Sequence, residues 1–180
     1  APAVRCVLLP SSANIYGNAA AGVLDERTPA NPANDYAVSK LAMEYMARTF
    51  MDRMPIITTR PFNYTGPGQD LNFVIPKLVD HYARRASVVE LGNLQVEREF
   101  NDVRMVCDAY LALLRHGQAG EAYNVCSGHP YTLRQVMDAL APRRGEGFVA
   151  FEQLQRQADQ VVEIDRVEGG QPRLVQRVDH

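Results

Sequence analysis

The chain has 180 residues, 46% of them hydrophobic and 22% charged, enough for one substantial core, or one and part of another, in a water-soluble globular fold. A net charge of −2 with no block of like charges argues against a nucleic acid or a membrane surface as partner, and no segment is long and apolar enough to span a membrane. Cys6, Cys107 and Cys126 lie far apart, and His81, His116, His129 and His180 lack ligand spacing, so a disulfide framework and a metal centre are both disfavoured and a reducing, cytoplasmic setting is expected.

Val4 to Leu9 is a nearly continuous apolar run, which predicts a strand covered on both faces, as in a parallel sheet, stopped by Pro10. The polar stretch 18–34, with Pro29, Asn31, Pro32 and Asn34 near its end, predicts a loop on the ligand side of that sheet. Asn34 or Asp35 is placed to cap a helix running from Tyr36 to about Arg53. The apolar positions of that helix, among them Val38, Tyr45, Met46 and Phe50, spread over more than half its circumference and need two covers. The row Lys40, Glu44, Arg48 and Asp52 interrupts them and suits a solvated face of alternating charge. Pro55 to Arg60 predicts a second buried strand, closing a right-handed parallel strand-helix-strand unit.

Two features of this unit carry chemistry. Lys40 lies one helical turn after Tyr36 on the same face, so a phenol and an ammonium can share one small volume. A cation about 4 Å from a phenol, at an effective dielectric of about 20, favours the phenolate by about 4 kcal/mol before desolvation, which brings proton exchange within reach of neutral pH. Ahead of it, Ser11-Ser12-Ala13-Asn14-Ile15-Tyr16-Gly17 places a hydroxyl pair at the end of the first strand.

Beyond the second strand, Arg60 to Gln69 is a glycine- and proline-rich turn at a strand's carboxyl end, where open α/β sheets place their ligands. A helix over 74–85 and a short strand over 88–91 follow, and then Val96 to Val103. Val103, Val106, Cys107, Tyr110, Leu111 and Leu114 form a stripe at helical spacing that reads as core. Glu121 to Gly128 predicts a strand and turn, Thr132 with Gln135 a capping box for a helix through Leu140, and Val161 to Ile164 a last strand.

The strand-end serine followed by Tyr36-Ala37-Val38-Ser39-Lys40 resembles the Ser/Tyr/Lys arrangement of the extended short-chain dehydrogenase/reductase, or NAD-dependent epimerase/dehydratase, family, whose members act on nucleotide-activated sugars. Arg60-Pro61-Phe62-Asn63, Gly66-Pro67-Gly68-Gln69 and Phe73-Val74-Ile75-Pro76 are similar to the segment that lies against the nicotinamide in that family. The resemblance runs from about Ala3 to Leu140 and includes no glycine-rich dinucleotide-binding turn, so a fragment of a longer enzyme is expected. It implies a partial Rossmann-type doubly wound parallel sheet over 1–72, and a small α/β substrate-binding domain over 73–180 from which 121–128 returns to the sheet. It further implies Ser12, Tyr36 and Lys40 as catalytic residues, and Tyr36, Lys40, Pro61 and Phe62 as contacts to NADP or NAD. Asn63, Asn72, Lys77, Arg98 and Arg173 become contacts to a nucleotide sugar, with Glu99 standing where the family carries an aspartate after that arginine.

The dehydratases of the family place acidic residues just after the active-site hydroxyl; Ala13 and Asn14 stand there instead, and neither exchanges a proton at neutral pH. The epimerase-reductases add a cysteine and a histidine, where this chain has Asn14 and Gly68. The resemblance therefore implies hydride transfer at C4 of a GDP-sugar, with GDP-4-keto-6-deoxymannose reduced to GDP-rhamnose as first expectation and 4-epimerisation as second. A non-catalytic sugar-nucleotide-binding or dimerising remnant is the expectation of another class. A homodimer through the helix over 36–53 is also implied.

Overall fold

The computed structural model describes residues 4–18, 22–86, 88–140, 161–165 and 173–177, the last two segments as backbone. Along the chain run β1 (Val7–Pro10), α1 (Asp35–Arg48), β2 (Ile56–Pro61), β3 (Tyr64–Thr65), α2 (Val74–Ala83), β4 (Glu97–Arg98), β5 (Asn101–Asp102), α3 (Val103–His116), β6 (Ala122–Val125), β7 (Tyr131–Thr132), α4 (Leu133–Leu140), β8 (Val161–Asp165) and β9 (Arg173–Arg177). The fold is α/β. Strands β1, β2 and β6 make a parallel sheet in the order β1-β2-β6, with Val7 opposite Ile56 and Arg60 opposite Asn124.

Strand β2 lies between two neighbours, and all six of its residues are buried. Strand β1 begins three residues later than its apolar run suggests. The rungs start with Val7 N, which donates to Pro55 O at 2.9 Å, whereas Val4 is exposed. Pro10 ends the run as expected and is itself the last residue of the strand, because a terminal position needs no N–H there. Ser11 N then donates to Thr59 O at 2.7 Å.

Helix α3 covers the sheet with Met105, Val106, Ala109 and Leu113, packed on Ile57, Tyr123 and Val125. This corrects the expected stripe. Val106 belongs to the buried row, but Cys107, Leu111 and Leu114 face outward. The long residues at 107, 110, 111 and 114 matched helical spacing as well as the buried row does, and only the sheet selects between the two faces. A second core joins Ile75 and Leu78 of α2 to Val136 and Leu140 of α4. The expected strand over 88–91 is absent: Val88 to Leu91 is irregular, and Val89 and Leu91 pack beside this second core without a ladder partner. The Thr132–Gln135 capping box is present in both directions, with Thr132 N donating to Gln135 Oε1 at 2.8 Å and Gln135 N to Thr132 Oγ1 at 3.1 Å.

Helix α1 is capped by Asn34, whose Oδ1 accepts from Ala37 N at 2.8 Å, and ends at Arg48 rather than near Arg53. Its wide apolar arc lacks the two covers that the sequence suggested: Val38, Tyr45 and Met46 are each more than half exposed. The charged row is a solvated face only in part: Arg48 and Asp52 are exposed, Glu44 is not. Glu44 is buried, 4% exposed, because it meets Arg60 of β2. Strands β8 and β9 pair antiparallel, with Asp165 opposite Arg173. Among the described residues no helix is long and apolar enough to cross a membrane, and no histidine, cysteine and carboxylate cluster could hold a metal ion.

Candidate active site

The site is built where β1 and β2 end. Ser12 caps a 3-10 turn over Ala13–Tyr16, its Oγ accepting from Asn14 N at 3.2 Å. One lone pair is thereby engaged, and the hydroxyl proton is left to donate outward. Ser11 beside it is 2% exposed, and its Oγ has no hydrogen-bond partner. Tyr36 stands in the first turn of α1, half exposed. One turn on, the Lys40 ammonium donates to Pro10 O at 2.9 Å and lies 5.7 Å from the centre of the Tyr36 ring. The carbonyl at the end of β1 therefore holds the cation beside the phenol and leaves its other protons available.

Ser12, Tyr36 and Lys40 line one cavity of about 770 Å³, together with Pro61, Phe62 and Asn63 of the turn after β2. Arg98 also lines it, with Nη1 donating to its neighbour Glu97 O at 2.8 Å. Glu99 faces the other way and takes Ser127 N at 2.8 Å and Gly128 N at 3.2 Å, which ties β4 to the loop after β6. Two of the expected substrate contacts lie elsewhere. The Lys77 ammonium is engaged by Glu90 O at 2.9 Å, and Asn72 belongs to an exposed turn in which its N–H donates to Asp70 Oδ1 at 2.8 Å; neither lines the cavity. Arg173 is described as backbone only, in β9.

Gln69 and Phe73, from the segments that resemble the nicotinamide side of the family, also line the cavity, as do Tyr64 and Phe100, to which the sequence reading gave no individual role, and Tyr110, which it read as core. Gln69 is part of a closed turn, its Oε1 accepting from Thr65 Oγ1 at 2.6 Å. Burial pushes the Tyr110 phenol up, as it does Tyr16. Cys126 is pushed up to about 12 by burial and by the Glu99 charge, so it stays a neutral thiol rather than a nucleophile at neutral pH.

A buried polar network joins α1, β2 and β6. Arg60 Nε and Nη2 meet the Glu44 carboxylate at 3.0 and 2.7 Å, and Arg60 Nη1 donates to Tyr16 Oη at 2.9 Å and to Glu26 O at 3.0 Å. Tyr16 Oη donates to Asn124 Oδ1 at 2.7 Å. Burial works against the Arg60 charge, but the Glu44 and Tyr16 bonds outweigh it and raise its pKa further.

Residues 2–126 match the NAD dependent epimerase/dehydratase family. The chain belongs to this family. Over 141 residues it is 41% identical to the GDP-6-deoxy-D-mannose reductase of Pseudomonas aeruginosa, covering 73% of this chain and 46% of that protein. It is 35% identical to the GDP-6-deoxy-D-talose 4-dehydrogenase of Aggregatibacter actinomycetemcomitans over 134 residues, 74% of this chain and 46% of that one. The chain thus spans about half the length of the curated relatives it matches. The solved structure of RMD from Pseudomonas aeruginosa, complexed with NADPH, superposes with a TM-score of 0.72 at 40% identity over 75% of this chain and 48% of its own. The dTDP-glucose 4,6-dehydratase of Bacillus anthracis, in complex with NAD, superposes at 0.68 and 26% identity over 76% and 47%. This epimerase/dehydratase chain therefore carries a Rossmann-type sheet.

Proposed function

We propose that this chain contributes the Ser/Tyr/Lys centre of an NAD(P)-dependent oxidoreductase that reduces the C4 ketone of a nucleotide-activated 6-deoxy sugar, best matched by conversion of GDP-4-keto-6-deoxymannose to GDP-rhamnose. The observation that carries this reading is the convergence of Ser12, Tyr36 and Lys40 on one cavity, with the Lys40 ammonium fixed to the Pro10 carbonyl beside the Tyr36 ring. The GDP-6-deoxysugar names of the two curated relatives described above support the substrate class.

The residues present fit one end of a nicotinamide cofactor. Tyr36, Lys40, Pro61 and Phe62 line the cavity, and the unpartnered, buried Ser11 Oγ at its wall is a polar atom that a ligand's amide or hydroxyl would satisfy. The sequence holds no strand followed by a glycine-rich helix start for the cofactor's diphosphate. When bound, the nicotinamide supplies the hydride that reaches C4. Ser12 donates a hydrogen bond to the C4 oxygen and fixes the plane of the carbonyl. Tyr36 gives its hydroxyl proton to that oxygen, so the ketone becomes an alcohol and the tyrosine is left as a phenolate, which the Lys40 ammonium stabilises. Lys40's remaining donors suit ribose hydroxyls. Arg98 presents a planar fork toward a diphosphate. Ala13 and Asn14 supply no acid or base for loss of water, which favours reduction over dehydration.

The exposed face of α1, with Val38, Tyr45 and Met46, fits a second copy of the chain as partner. The test of the activity uses the complete gene product with GDP-4-keto-6-deoxymannose and NADPH, following loss of cofactor absorbance. Oxidation is expected, and Tyr36→Phe should slow it about 10³-fold. No oxidation by the wild type, or equal rates for both proteins, removes the reading. Interconversion of C4 epimers without net cofactor consumption assigns a 4-epimerase instead, and nucleotide-sugar binding without cofactor binding assigns the non-catalytic remnant.

A further inference from the structure

We infer that the buried Glu44–Arg60 pair is a positioning device that sets α1, and with it Tyr36 and Lys40, against the three strands; the role rests on the oxidoreductase reading above. Glu44 follows Lys40 by one turn, so both side chains leave α1 on the sheet side. Lys40 reaches the end of β1 through Pro10 O. Glu44 reaches β2 through both nitrogen edges of Arg60, and Arg60 reaches β6 through Tyr16 Oη and Asn124 Oδ1. One face of one helix is therefore referenced to every strand of the sheet.

The chemistry of the pair favours geometry over stability as its purpose. Taking a carboxylate and a guanidinium out of water is costly, and a well-packed apolar pair of like volume is generally as stable or more so. The apolar residues that α1 buries are Ala37 and Ala47, small side chains that bound its axial and rotational position weakly. A bidentate fork fixes both distance and plane. Arg60 has both donors of Nη1 taken by Tyr16 Oη and Glu26 O, so the guanidinium is held against following a sliding helix. Displacement of the phenol by about 1 Å is enough to cost about 10² in rate.

The experiment replaces the pair by an apolar one, Glu44→Met with Arg60→Met, in the complete gene product. Thermal melting of the double variant is expected within a few degrees of wild type, with kcat reduced about 100-fold and KM for the nucleotide sugar little changed. A second signal needs no turnover: the ring-current shift that Tyr36 imposes on the Lys40 ε-methylene resonance, assigned with Lys40→Arg, should collapse in the double variant. Unchanged kcat overturns the inference, and so does a fall in kcat with the Lys40 resonance unmoved. If the double variant does not fold, Arg60→Lys, which keeps the charge and loses the fork, is read by the same two signals and should move both in the same direction. If the wild type itself oxidises no cofactor, the proposed activity fails, and the Lys40 resonance alone still decides whether the pair positions the helix.

Discussion

A serine whose oxygen already accepts a backbone N–H has its proton free to give, and Ser12 is held in that state by Asn14 N. In the proposed reduction, removing it takes away one preformed donor to the C4 oxygen while Tyr36 and Lys40 stay in place. Ser12→Ala is therefore expected to lower kcat about 10²-fold to 10³-fold with a smaller effect on KM, measured by steady-state cofactor oxidation in the complete gene product. That Ser12, Tyr36, Lys40, Pro61, Phe62 and Asn63 gather at one cavity was legible because each sits in a short local pattern: a strand end, the first turns of a helix, the exit of a strand. Lys77 and Asn72 were legible only as residue types near the right place. Their side-chain or backbone donors are engaged locally, by Glu90 O and Asp70 Oδ1, and spacing carries no information about that.

At the scale of elements, the caps and one turn make sharp predictions. Asp102 caps α3 by accepting from Arg104 N at 2.7 Å. Burial works to raise its carboxyl pKa, but the Arg104 bonds outweigh it and hold the group below its usual range. Because the folded value lies below the unfolded one, the cap stabilises fully above the unfolded value near 3.9 and loses that contribution as pH falls through the folded value. Asp102→Ala is expected to cost about 1–2 kcal/mol at neutral pH, with the gap to wild type narrowing below about pH 4 in urea-unfolding series.

Gly17 closes the 3-10 turn after Ser12 with a φ of 73°, and an added Cβ would collide with Asn31 O. That contact brings the returning loop against the site, through Asn31 N donating to Ile15 O at 2.8 Å. Gly17→Ala combines left-handed strain with a backbone clash, and is expected to lower the melting temperature by at least several degrees and to raise KM as the loop shifts.

For the molecule as a whole, the exposed apolar face of α1 is the surface to explain. Met46 is 66% exposed, so Met46→Glu should fold as wild type does while breaking the dimer proposed on this helix. Sedimentation at several concentrations would read this as a change from dimer to monomer; an unchanged dimer would place the interface elsewhere.

The sequence by itself determined the parallel strand-helix-strand unit and the Ser12, Tyr36 and Lys40 spacing, because periodicity of two and of 3.6 and the punctuation by Pro and Gly act over a few residues. Only the tertiary structure decided which face of α3 is core, that Glu44 is buried rather than solvated, and that Tyr110 and Arg98 meet the strand ends in one cavity. Those outcomes depend on partners far along the chain. Glu44 needs Arg60, Tyr16 needs Asn124, and the same local pattern would be a surface row if the second strand presented no guanidinium to it.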